Sequence, residues 1–466
     1  METWLKRAGY TTEDLARMRH IHVAGSRGKG SVCTLATSML VRHRASSGGS
    51  SSKESKVGTY TSPHLISPRE RIAINGKPVS QAVFAEAFFE LWDRFTKAAI
   101  NEGMSASDAE TATSKPYFFR FLTIMAWHVF LKHGISDVVM EVGIGGEYDS
   151  TNVLPPEAVS VSVITPIMYD HITMLGGSRA EIAWHKAGIF KPGVRAFTCV
   201  DSESKQVTKA IQDVLISRAK EKGTDLTMVP SQKGLNTKDN TGAIKPDIRK
   251  FKHSFNGALQ VLAIMAVREH LGLKSDTMTV SEALQEMPPA VIQGFEEAQI
   301  RGVFEVIEEK DIIWLLDAAH STGSVRIMGP WIQEILKSPD EQVILVFSQQ
   351  VRETKAILTS LVRSMKDFLK RKNVLNTIIL ARNDVEGQAK NVEREDALKT
   401  FLGKTSGKLH EGCIIEARKN MADAIMSARK AAAAMKNGNT KPKVLITGGH
   451  RCVGAALRVL EPESLS

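Results

Sequence analysis

A glycine-rich segment near the N-terminus has the residue types and spacing most suited to chemistry. It reads Gly25-Ser26-Arg27-Gly28-Lys29-Gly30-Ser31, and an apolar run lies on each side of it. Its glycines allow tight turns, so that successive backbone N–H groups can face phosphate oxygens at the start of a helix. Lys29 would neutralise the β- and γ-phosphates of a nucleotide, and the Ser31 hydroxyl would ligate Mg²⁺. The predicted phosphate-binding residues are Gly25, Ser26, Gly28, Lys29, Gly30 and Ser31.

The spacing within this loop differs from the commonest phosphate-binding pattern. It is shorter than GxxxxGK[ST], and one extra residue stands before Ser31. A glycine-rich turn that carries an exposed lysine is therefore a competing interpretation. The context favours phosphate, because a short β-type run, His20 to Ala24, precedes the loop and a helical run, Val32 to Val41, follows it.

Glu141 is the second candidate for chemistry. It stands near the end of the predicted buried strand Asp137 to Val142, and open α/β sheets bind ligands at the carboxyl ends of their strands. The competing interpretation is that Glu141 caps the glycine-rich turn that follows. Asp149 or Asn152 can fill that capping role instead.

His171 and Lys186 are further candidates whose residue types alone leave two interpretations open. His171 follows Asp170 after a predicted strand, Val159 to Ile164, and a single histidine is more commonly a surface or core group than a metal ligand. Lys186 precedes Gly188, where a helix can end, and a cation at that position stabilises a helix C-terminus.

The elements that must position these residues alternate between strands and helices. Alternation of this kind indicates two α/β domains with mainly parallel sheets. Pro288-Pro289 and the neighbourhood of Gly294 suggest a hinge between them, and the segment from Ala45 to Lys56 reads as a flexible surface excursion. The further helices predicted are Thr12–Met18, with Thr12 as its N-cap, Phe118–His133, Ser204–Lys222 and Phe255–Leu271; the further strands are Ile312–Leu316, Gln342–Phe347, Thr377–Leu380 and Val444–Thr447.

Bulk properties agree with a two-domain cytoplasmic enzyme. A chain of 466 residues exceeds what one hydrophobic core usually serves, and 42% hydrophobic with 24% charged residues is ordinary for a soluble protein. No apolar run approaches the roughly 20 residues that span a bilayer. The N-terminus lacks the patterns of a signal or transit peptide. The four cysteines form no CxxC pair, which argues against a disulfide scaffold or zinc site.

The net charge of +10 raises the question of nucleic acid. Lys and Arg are scattered along the chain, and short clusters such as Lys370-Arg371-Lys372 read as solvated faces. A basic surface also suits polyanionic small molecules such as ATP. We therefore expect small-molecule partners and no nucleic acid.

Several blocks, in the same order along the chain, resemble the folylpolyglutamate synthases of the Mur ligase superfamily, and fungal members in particular. The resemblance runs from residue 4 to about residue 461. The blocks that carry it are Trp4-Leu5-Lys6-Arg7-Ala8-Gly9-Tyr10, His22-Val23-Ala24-Gly25, Tyr60-Thr61-Ser62-Pro63-His64-Leu65, Glu141-Val142-Gly143-Ile144-Gly145-Gly146, Ile182-Ala183-Trp184-His185-Lys186-Ala187-Gly188, Asp317-Ala318-Ala319-His320 and Phe347-Ser348-Gln349-Gln350.

The resemblance implies an α/β fold and a reaction class. A Mur-ligase-like ATPase domain, with a phosphate loop and a mainly parallel sheet, would occupy residues 1–295, and a smaller Rossmann-like ligase domain residues 296–466. The reaction would use ATP to phosphorylate the γ-carboxyl of a tetrahydrofolate (poly)glutamate, and L-glutamate would attack the acyl phosphate. ATP, Mg²⁺ and a monovalent cation such as K⁺ are the implied cofactors, and a monomer is the implied state.

The resemblance also assigns roles to residues. Lys186 would be carbamylated, Asn256 would lie at the nucleotide base, and Asp317 with His320 would close over ATP and the amino acid. The catalytic residues would be Lys29, Lys186 and His320; the metal ligands would be Ser31, Ser62 and Glu141 at one ion and His171 at a second. The aromatic residues Phe119, Phe121 and Trp127 could face a pteridine ring, although their helical spacing is more typical of core.

Three departures from the family pattern keep other functions open. Val303 stands where the family has an arginine that reaches ATP, Ala318 replaces a glycine, and Gly448-Gly449-His450-Arg451 replaces Gly-Ser-Leu-His. Arg301 is the nearest substitute for the missing arginine. The alternatives are a paralogue that joins a different acid to an amino acid, and a nucleotide-binding paralogue impaired in catalysis. Dihydrofolate synthase is a near variant, but Phe119-Arg120-Phe121-Leu122-Thr123 favours the polyglutamylating branch.

Overall fold

A computed structural model gives the fold. The residues that it describes are 1–47, 56–199, 205–229, 257–273, 286–326, 328–336, 338, 340–349, 354–370, 373–382, 412–435 and 440–462. The chain forms two compact units. The first comprises Met1–His64 and Pro68–Gln299, and the second comprises Leu65–Ser67 and Ile300–Ser466.

The first unit is built on an eight-stranded sheet in the order β4-β3-β2-β5-β1-β6-β7-β8. All neighbours are parallel except at one edge, where β3 is antiparallel to both β2 and β4. The strands are β1 Arg19–Ala24, β2 Val57–Tyr60, β3 Ile72–Ile74, β4 Lys77–Pro78, β5 Asp137–Glu141, β6 Val159–Ile164, β7 Arg195–Thr198 and β8 Asp225–Met228.

Helices cover both faces of this sheet, as a parallel sheet with apolar strands requires. On one face the core joins β1, β5 and β6 to α3, α10 and α11; a second core lies against α4 and α6. The helices are α1 Glu2–Arg7, α2 Thr12–Leu15, α3 Lys29–Ser47, α4 Gln81–Asn101, α5 Ala106–Ala109, α6 Phe118–Lys132, α7 Ile172–Leu175, α8 Arg179–Lys186, α9 Lys205–Lys222, α10 Gly257–His270 and α11 Pro289–Glu297.

The register of the central strands decides which residues meet at the carboxyl edge. Val23 of β1 pairs with Glu141 of β5, and Ala24 pairs with Ile164 of β6. Because these strands end at one level, the glycine-rich loop, Glu141 and Thr165 all lie at the same edge of the sheet.

The second unit contains a six-stranded sheet in the order β13-β12-β11-β14-β10-β9, parallel except for β9. Thr447 of β14 pairs with Asp317 of β10 on one side and Phe347 of β11 on the other, so the loops after these strands start side by side. The elements are β9 Glu305–Glu308, β10 Ile313–Asp317, α12 Thr322–Arg326, α13 Met328–Ile335, β11 Val343–Phe347, α14 Thr354–Leu369, β12 Leu375–Ala381, β13 Ile414–Arg418, α15 Met421–Ala434, β14 Lys443–Thr447 and α16 His450–Leu460.

The two α/β units with mainly parallel sheets confirm the predicted fold class. Their boundary lies between Gln299 and Ile300, four residues beyond the position expected from the sequence, and the second unit also includes Leu65–Ser67. The assignment of an ATPase role to one unit and a ligase role to the other remains a prediction.

Some predicted helix ends were wrong. The cap of α2 is Thr11, not Thr12, because Thr11 and Asp14 form a reciprocal capping box. Helix α3 begins at Lys29, inside the glycine-rich segment, and continues to Ser47. It therefore occupies the start of the expected surface excursion, whose residues 48–55 lie outside the described residues.

Candidate nucleotide and metal site

The glycine-rich loop follows β1 directly and enters α3 at Lys29. Gly25 has φ +142° and Gly28 has φ +90°, both in the region that favours glycine. A Cβ at Gly25 would lie 1.8 Å from the hydroxyl oxygen of Thr165, and one at Gly28 would lie 2.5 Å from Leu259 of α10. Both glycines are therefore required by conformation and by packing.

Two lysines converge on the first glycine of the loop. Lys186 Nζ donates to the carbonyl oxygen of Gly25 at 2.8 Å, and Lys29 Nζ donates to the same oxygen at 3.3 Å. Lys186 also lies 3.4 Å from a carboxylate oxygen of Asp170. Burial and the charge of Lys29 lower the pKa of Lys186 to about 8. Near neutral pH, a far larger fraction of Lys186 is therefore in the neutral amine form than of an ordinary lysine.

Glu141 is a buried carboxylate beside the loop. Its oxygens accept a hydrogen bond from the Ser62 backbone N–H at 3.0 Å and lie 3.8 Å from Lys29 Nζ. Burial raises the pKa of Glu141 to about 7, despite the opposing charge of Lys29. A carboxylate with so little charge compensation suits a hard divalent cation, which would restore its charged form.

The capping alternative for Glu141 does not hold. Asp149 accepts hydrogen bonds from the backbone N–H groups of Ile144 and Thr151, and Asn152 donates to the carbonyl oxygens of Glu147 and Gly188. These two residues hold the turn after β5. Glu141 does not cap the turn and instead contacts the Ser62 backbone and Lys29 of the loop.

The donor set fits a Mg²⁺ ion. Ser31 stands in the first turn of α3, which starts beside Glu141, and the Ser62 backbone is hydrogen-bonded to the same carboxylate. Hydroxyl and carboxylate oxygens are the ligands that Mg²⁺ takes. Within the described ranges, no group of three or more His, Cys, Asp or Glu side chains is arranged around a metal position.

His171, the candidate for a second ion, lies at the start of α7. Its backbone is left-handed, with φ +46°, a strained conformation that is concentrated at functional sites when the residue is not glycine. Its ring lies 3.4 Å from Asp170, which in turn lies 3.4 Å from Lys186. His171, Asp170 and Lys186 thus form a continuous polar chain to the loop.

Sequence reasoning missed the residues that fix Lys186 in place. Arg218 of α9 is buried, forms ion pairs with Glu147 and Glu221, and lies 4.4 Å from the centre of the Trp184 ring. The Glu147 backbone N–H donates to the carbonyl oxygen of His185 at 2.7 Å. Nothing in the spacing of Arg218 could have revealed this, because its partner Glu147 lies 71 residues away along the chain.

The remaining predicted residues lie elsewhere or outside the described residues. Asn256 is one of the latter; α10 begins one residue after it. Asp317 and His320 follow β10 in the second unit, where Asp317 accepts from the Phe304 and Ala319 backbone N–H groups. Phe121 and Trp127 are buried core residues, as their spacing indicated, while Phe119 is partly buried against that core.

Two of the departures from the family pattern acquire a physical description. Arg301, the expected substitute at Val303, forms ion pairs with Glu305 and Glu461 within the second unit. Ala318, the first residue after β10, packs its extra methyl in the core of that unit.

The fold and this site together define an ATP-dependent ligase with the Mur ligase fold. The chain belongs to the folylpolyglutamate synthase family. It is 34% identical to folylpolyglutamate synthase of Neurospora crassa over 99% of this chain and 85% of the relative, and 37% identical to a probable folylpolyglutamate synthase of Schizosaccharomyces pombe over 78% and 67%.

Solved structures agree on the fold. Mycobacterium tuberculosis folylpolyglutamate synthase complexed with ADP has a TM-score of 0.66 at 21% identity, covering 98% of this chain and 93% of that one. Escherichia coli FolC in complex with DHPP and ADP has a TM-score of 0.64 at 22% identity, covering 99% and 92%. No protein-family model matches the chain. Among the helices that the structure describes, none is both long and apolar enough to cross a membrane.

Proposed function

We propose that this chain adds L-glutamate to the γ-carboxyl of tetrahydrofolate (poly)glutamates through an acyl phosphate formed from ATP. The observation that supports it most is the convergence of Lys29 and Lys186 on the Gly25 carbonyl oxygen, with Glu141 beside them. Positive charge and a carboxylate suited to Mg²⁺ thereby meet at one phosphate-binding loop. Phosphoryl transfer depends on this kind of positioning and charge neutralisation.

In the proposed reaction, a γ-carboxylate oxygen of folate attacks the γ-phosphorus of ATP, and the bond to the ADP oxygen breaks. Backbone N–H groups of residues 27–31 and the Lys29 ammonium stabilise the charge that develops on the phosphoryl oxygens. The glutamate nitrogen then attacks the acyl carbon, phosphate leaves and the nitrogen loses a proton. Mg²⁺ held by Ser31, Ser62 and Glu141 would supply further charge neutralisation when bound.

An exposed aromatic surface near β2 and α6 supports a ring-bearing acid as the acceptor. Tyr117 is 88% exposed and Phe118 is 58% exposed, and the guanidinium of Arg71 lies 5.3 Å from the centre of the Phe118 ring. Flat aromatic rings and a guanidinium plane are groups on which a pteridine can stack. We also propose a monomer, a cytoplasmic location and a bound monovalent cation such as K⁺, all from the resemblance and the composition.

The discriminating experiment incubates purified protein with Mg²⁺, ATP, tetrahydrofolate and glutamate, and weighs the products by mass spectrometry. Folates heavier by one or more glutamyl units are the expected result. ADP release that requires a different acid would overturn the folate assignment.

A second candidate is a nucleotide-binding paralogue impaired in catalysis. The observation that favours it is the engagement of Arg301 by Glu305 and Glu461, which leaves Val303 without a substitute arginine. Nucleotide binding without turnover of any acid in the same assay would select this candidate.

A Lys29→Ala variant tests the loop. We expect turnover to fall by at least about 100-fold, because a cation that stabilises the transferred phosphoryl group is removed. ADP release measures the effect, and circular dichroism checks the fold. Lys209→Ala is the matched control, since Lys209 is an exposed lysine paired with Asp213 on α9. Undiminished turnover in Lys29→Ala would mean that the loop has another role.

A further inference from the structure

The second unit carries a pair of histidines at the carboxyl edge of its sheet. His320 follows β10, and His450 is the first residue of α16, two glycines after the end of β14. Both side chains are exposed, and their ring centroids lie 5.8 Å apart. The neighbouring strands β10 and β14 pair up to Asp317 and Thr447, so the two loops that carry the rings start at the same level.

A hydrogen bond of the His320 ring determines which of its two nitrogens can bind a metal. Its Nδ1 lies 3.1 Å from the Ala318 carbonyl oxygen, which can only accept, so Nδ1 carries the proton. In the neutral ring this leaves the lone pair on Nε2. A histidine whose second nitrogen donates to a backbone carbonyl is the usual form of a metal-ligating histidine.

A third donor lies beside the pair. Gln349, after β11, donates from its amide nitrogen to the His320 carbonyl oxygen at 3.2 Å, which leaves its Oε1 as an acceptor. A Cβ at Gly449 would lie 3.4 Å from that Oε1 and 3.6 Å from the Cβ of His320. The glycine thus allows the amide oxygen and the two rings to stand close together.

We propose that His320, His450 and the Gln349 amide oxygen form a binding site for a divalent transition metal, of which Zn²⁺ is the chemical type. A metal about 2.1 Å from one nitrogen of each ring lies roughly 3.2 Å from each ring centroid, so rings that share it stand up to about 6.4 Å apart. The observed 5.8 Å falls within that limit. Imidazole nitrogens select Zn²⁺, Ni²⁺ or Co²⁺ over Mg²⁺, so this site and the Glu141 site differ in the ion that they take.

Zinc titration in excess Mg²⁺, without nucleotide, tests the site by calorimetry. We expect saturable Zn²⁺ binding to the full-length protein and a loss of affinity of at least about tenfold in His450→Leu. His133→Leu, which removes an exposed histidine of the first unit, is the matched control and should bind as the wild type does. Equal affinities in His450→Leu and the wild type, or no saturable binding in the wild type, would overturn the proposal.

A cysteine variant separates ligation from loss of structure. His450→Cys should still bind the metal, and with Co²⁺ it should add the near-ultraviolet thiolate-to-metal band that the wild type lacks. A His450→Cys protein that folds by circular dichroism but shows no such band would contradict ligation at position 450.

The consequence for activity rests on the proposed function. Zn²⁺ bound at His320 Nε2 would occupy a proposed catalytic nitrogen, so micromolar Zn²⁺ should inhibit ligation by the wild type more strongly than by His450→Leu. Binding without inhibition would remove the catalytic role of His320 and leave the metal site standing, because calorimetry measures the site in an inactive protein as well.

Discussion

At the scale of single residues, the site depends on backbone conformation as much as on charge. Gly25 and Gly103 both have positive φ, +142° and +95°. They differ in surroundings: a Cβ at Gly25 would meet the Thr165 side chain, whereas a Cβ at Gly103 would have nothing within 4 Å. Gly103→Ala is therefore a control in which a residue with a side chain takes up a positive φ without meeting another group.

We expect Gly25→Ala to abolish nucleotide binding and Gly103→Ala to leave it unchanged. A positive φ costs a residue with a side chain about 1–2 kcal/mol in the left-handed region, and at Gly25, whose φ of +142° lies farther from that region, alanine must also displace Thr165 and the loop. Binding of ADP, followed by fluorescence or calorimetry, measures the difference. Normal ADP affinity in Gly25→Ala would show that the loop can shift without losing its function.

Lys186 allows a test of carbamylation. With a pKa of about 8, roughly half of the lysine is neutral at pH 8, against well under 1% for a lysine of ordinary pKa. The neutral amine attacks the carbon of CO₂ and loses a proton, so the carbamate should increase from pH 6.5 to pH 8.5. We expect a carbamate ¹³C signal in ¹³C-bicarbonate, and we expect Lys186→Arg to lose it.

Lys191 provides the comparison for that experiment, because burial lowers its pKa to about 8 as well. The resemblance assigns the modification to Lys186, so Lys191→Arg should retain the signal. A carbamate signal that disappears in Lys191→Arg and survives in Lys186→Arg would place the modification at Lys191 and contradict its assignment to Lys186.

At the scale of elements, a polar cluster around the buried Asp137 ties two helices to the amino end of the first sheet. Asp137 of β5 accepts two hydrogen bonds from Arg44 of α3, and His270 of α10 lies 2.9 Å from the same carboxylate. Ser160 of β6 lies 2.6 Å from the other nitrogen of His270. The cluster therefore fixes the helix that begins with the phosphate loop and the helix that packs on Gly28.

Removal of the Asp137 charge should destabilise the fold. Burial acts to raise the pKa of Asp137, but the hydrogen bonds from His270 and Arg44 outweigh it and hold the pKa well below its usual value. We expect Asp137→Asn to cost about 1–3 kcal/mol of unfolding free energy near pH 7, because the buried His270 and the partly buried Arg44 lose their hydrogen bonds to a charged acceptor. Urea denaturation measures the loss.

The contribution of the Asp137 carboxylate to the unfolding free energy should decrease as the pH falls. A carboxyl whose pKa is lower in the folded state stabilises the fold above its unfolded pKa of about 3.9 and loses that contribution as the pH falls through the folded value. The difference between wild type and Asp137→Asn should therefore shrink below about pH 4. Asp213→Asn, which changes an exposed carboxylate, should have the same unfolding free energy as the wild type at every pH. A stability difference between the wild type and Asp137→Asn that stays constant down to low pH would contradict this role of the Asp137 charge.

The local hydrophobic pattern of the sequence was enough to predict the strands that carry the site. The strand from Val159 to Ile164 has the bounds expected from its residues, and the strand that begins at Asp137 ends at Glu141, one residue before the predicted end at Val142. The longest described helix of the first unit, Gln81–Asn101, was not anticipated, although its N-cap Ser80 accepts from the Val83 N–H. Contacts such as Asp137 with His270 could not be predicted, because their partners lie 133 residues apart and no local spacing encodes them.

At the scale of the whole molecule, the placement of Leu65–Ser67 sets a limit on how the chain can be divided. Leu65 and Ile66 pack in the core of the second unit, and Arg458 of α16 donates to the Ile66 carbonyl oxygen at 3.3 Å. A Cβ at Gly454 would lie 2.1 Å from the Leu65 carbonyl oxygen, so α16 provides a fitted groove for this strip.

A fragment of residues 300–466 should therefore be less stable than the second unit in the full chain, since it lacks the strip that fills the groove. A synthetic peptide of residues 60–70 should raise its melting temperature in a concentration-dependent way, as any ligand of the folded state does. The Leu65→Asp peptide is the control. A fragment of full stability that ignores both peptides would show that the groove closes by itself.

When two related genes recombine, a single crossover near residue 299 would exchange the second unit without its Leu65–Ser67 strip. The new C-terminal half would meet a foreign Leu65–Ser67 strip, whose shape must match Gly302 and Gly454. Functional chimaeras should thus inherit residues 65–67 from the same parent as the C-terminal half, so that two distant stretches of the gene behave as one unit of exchange.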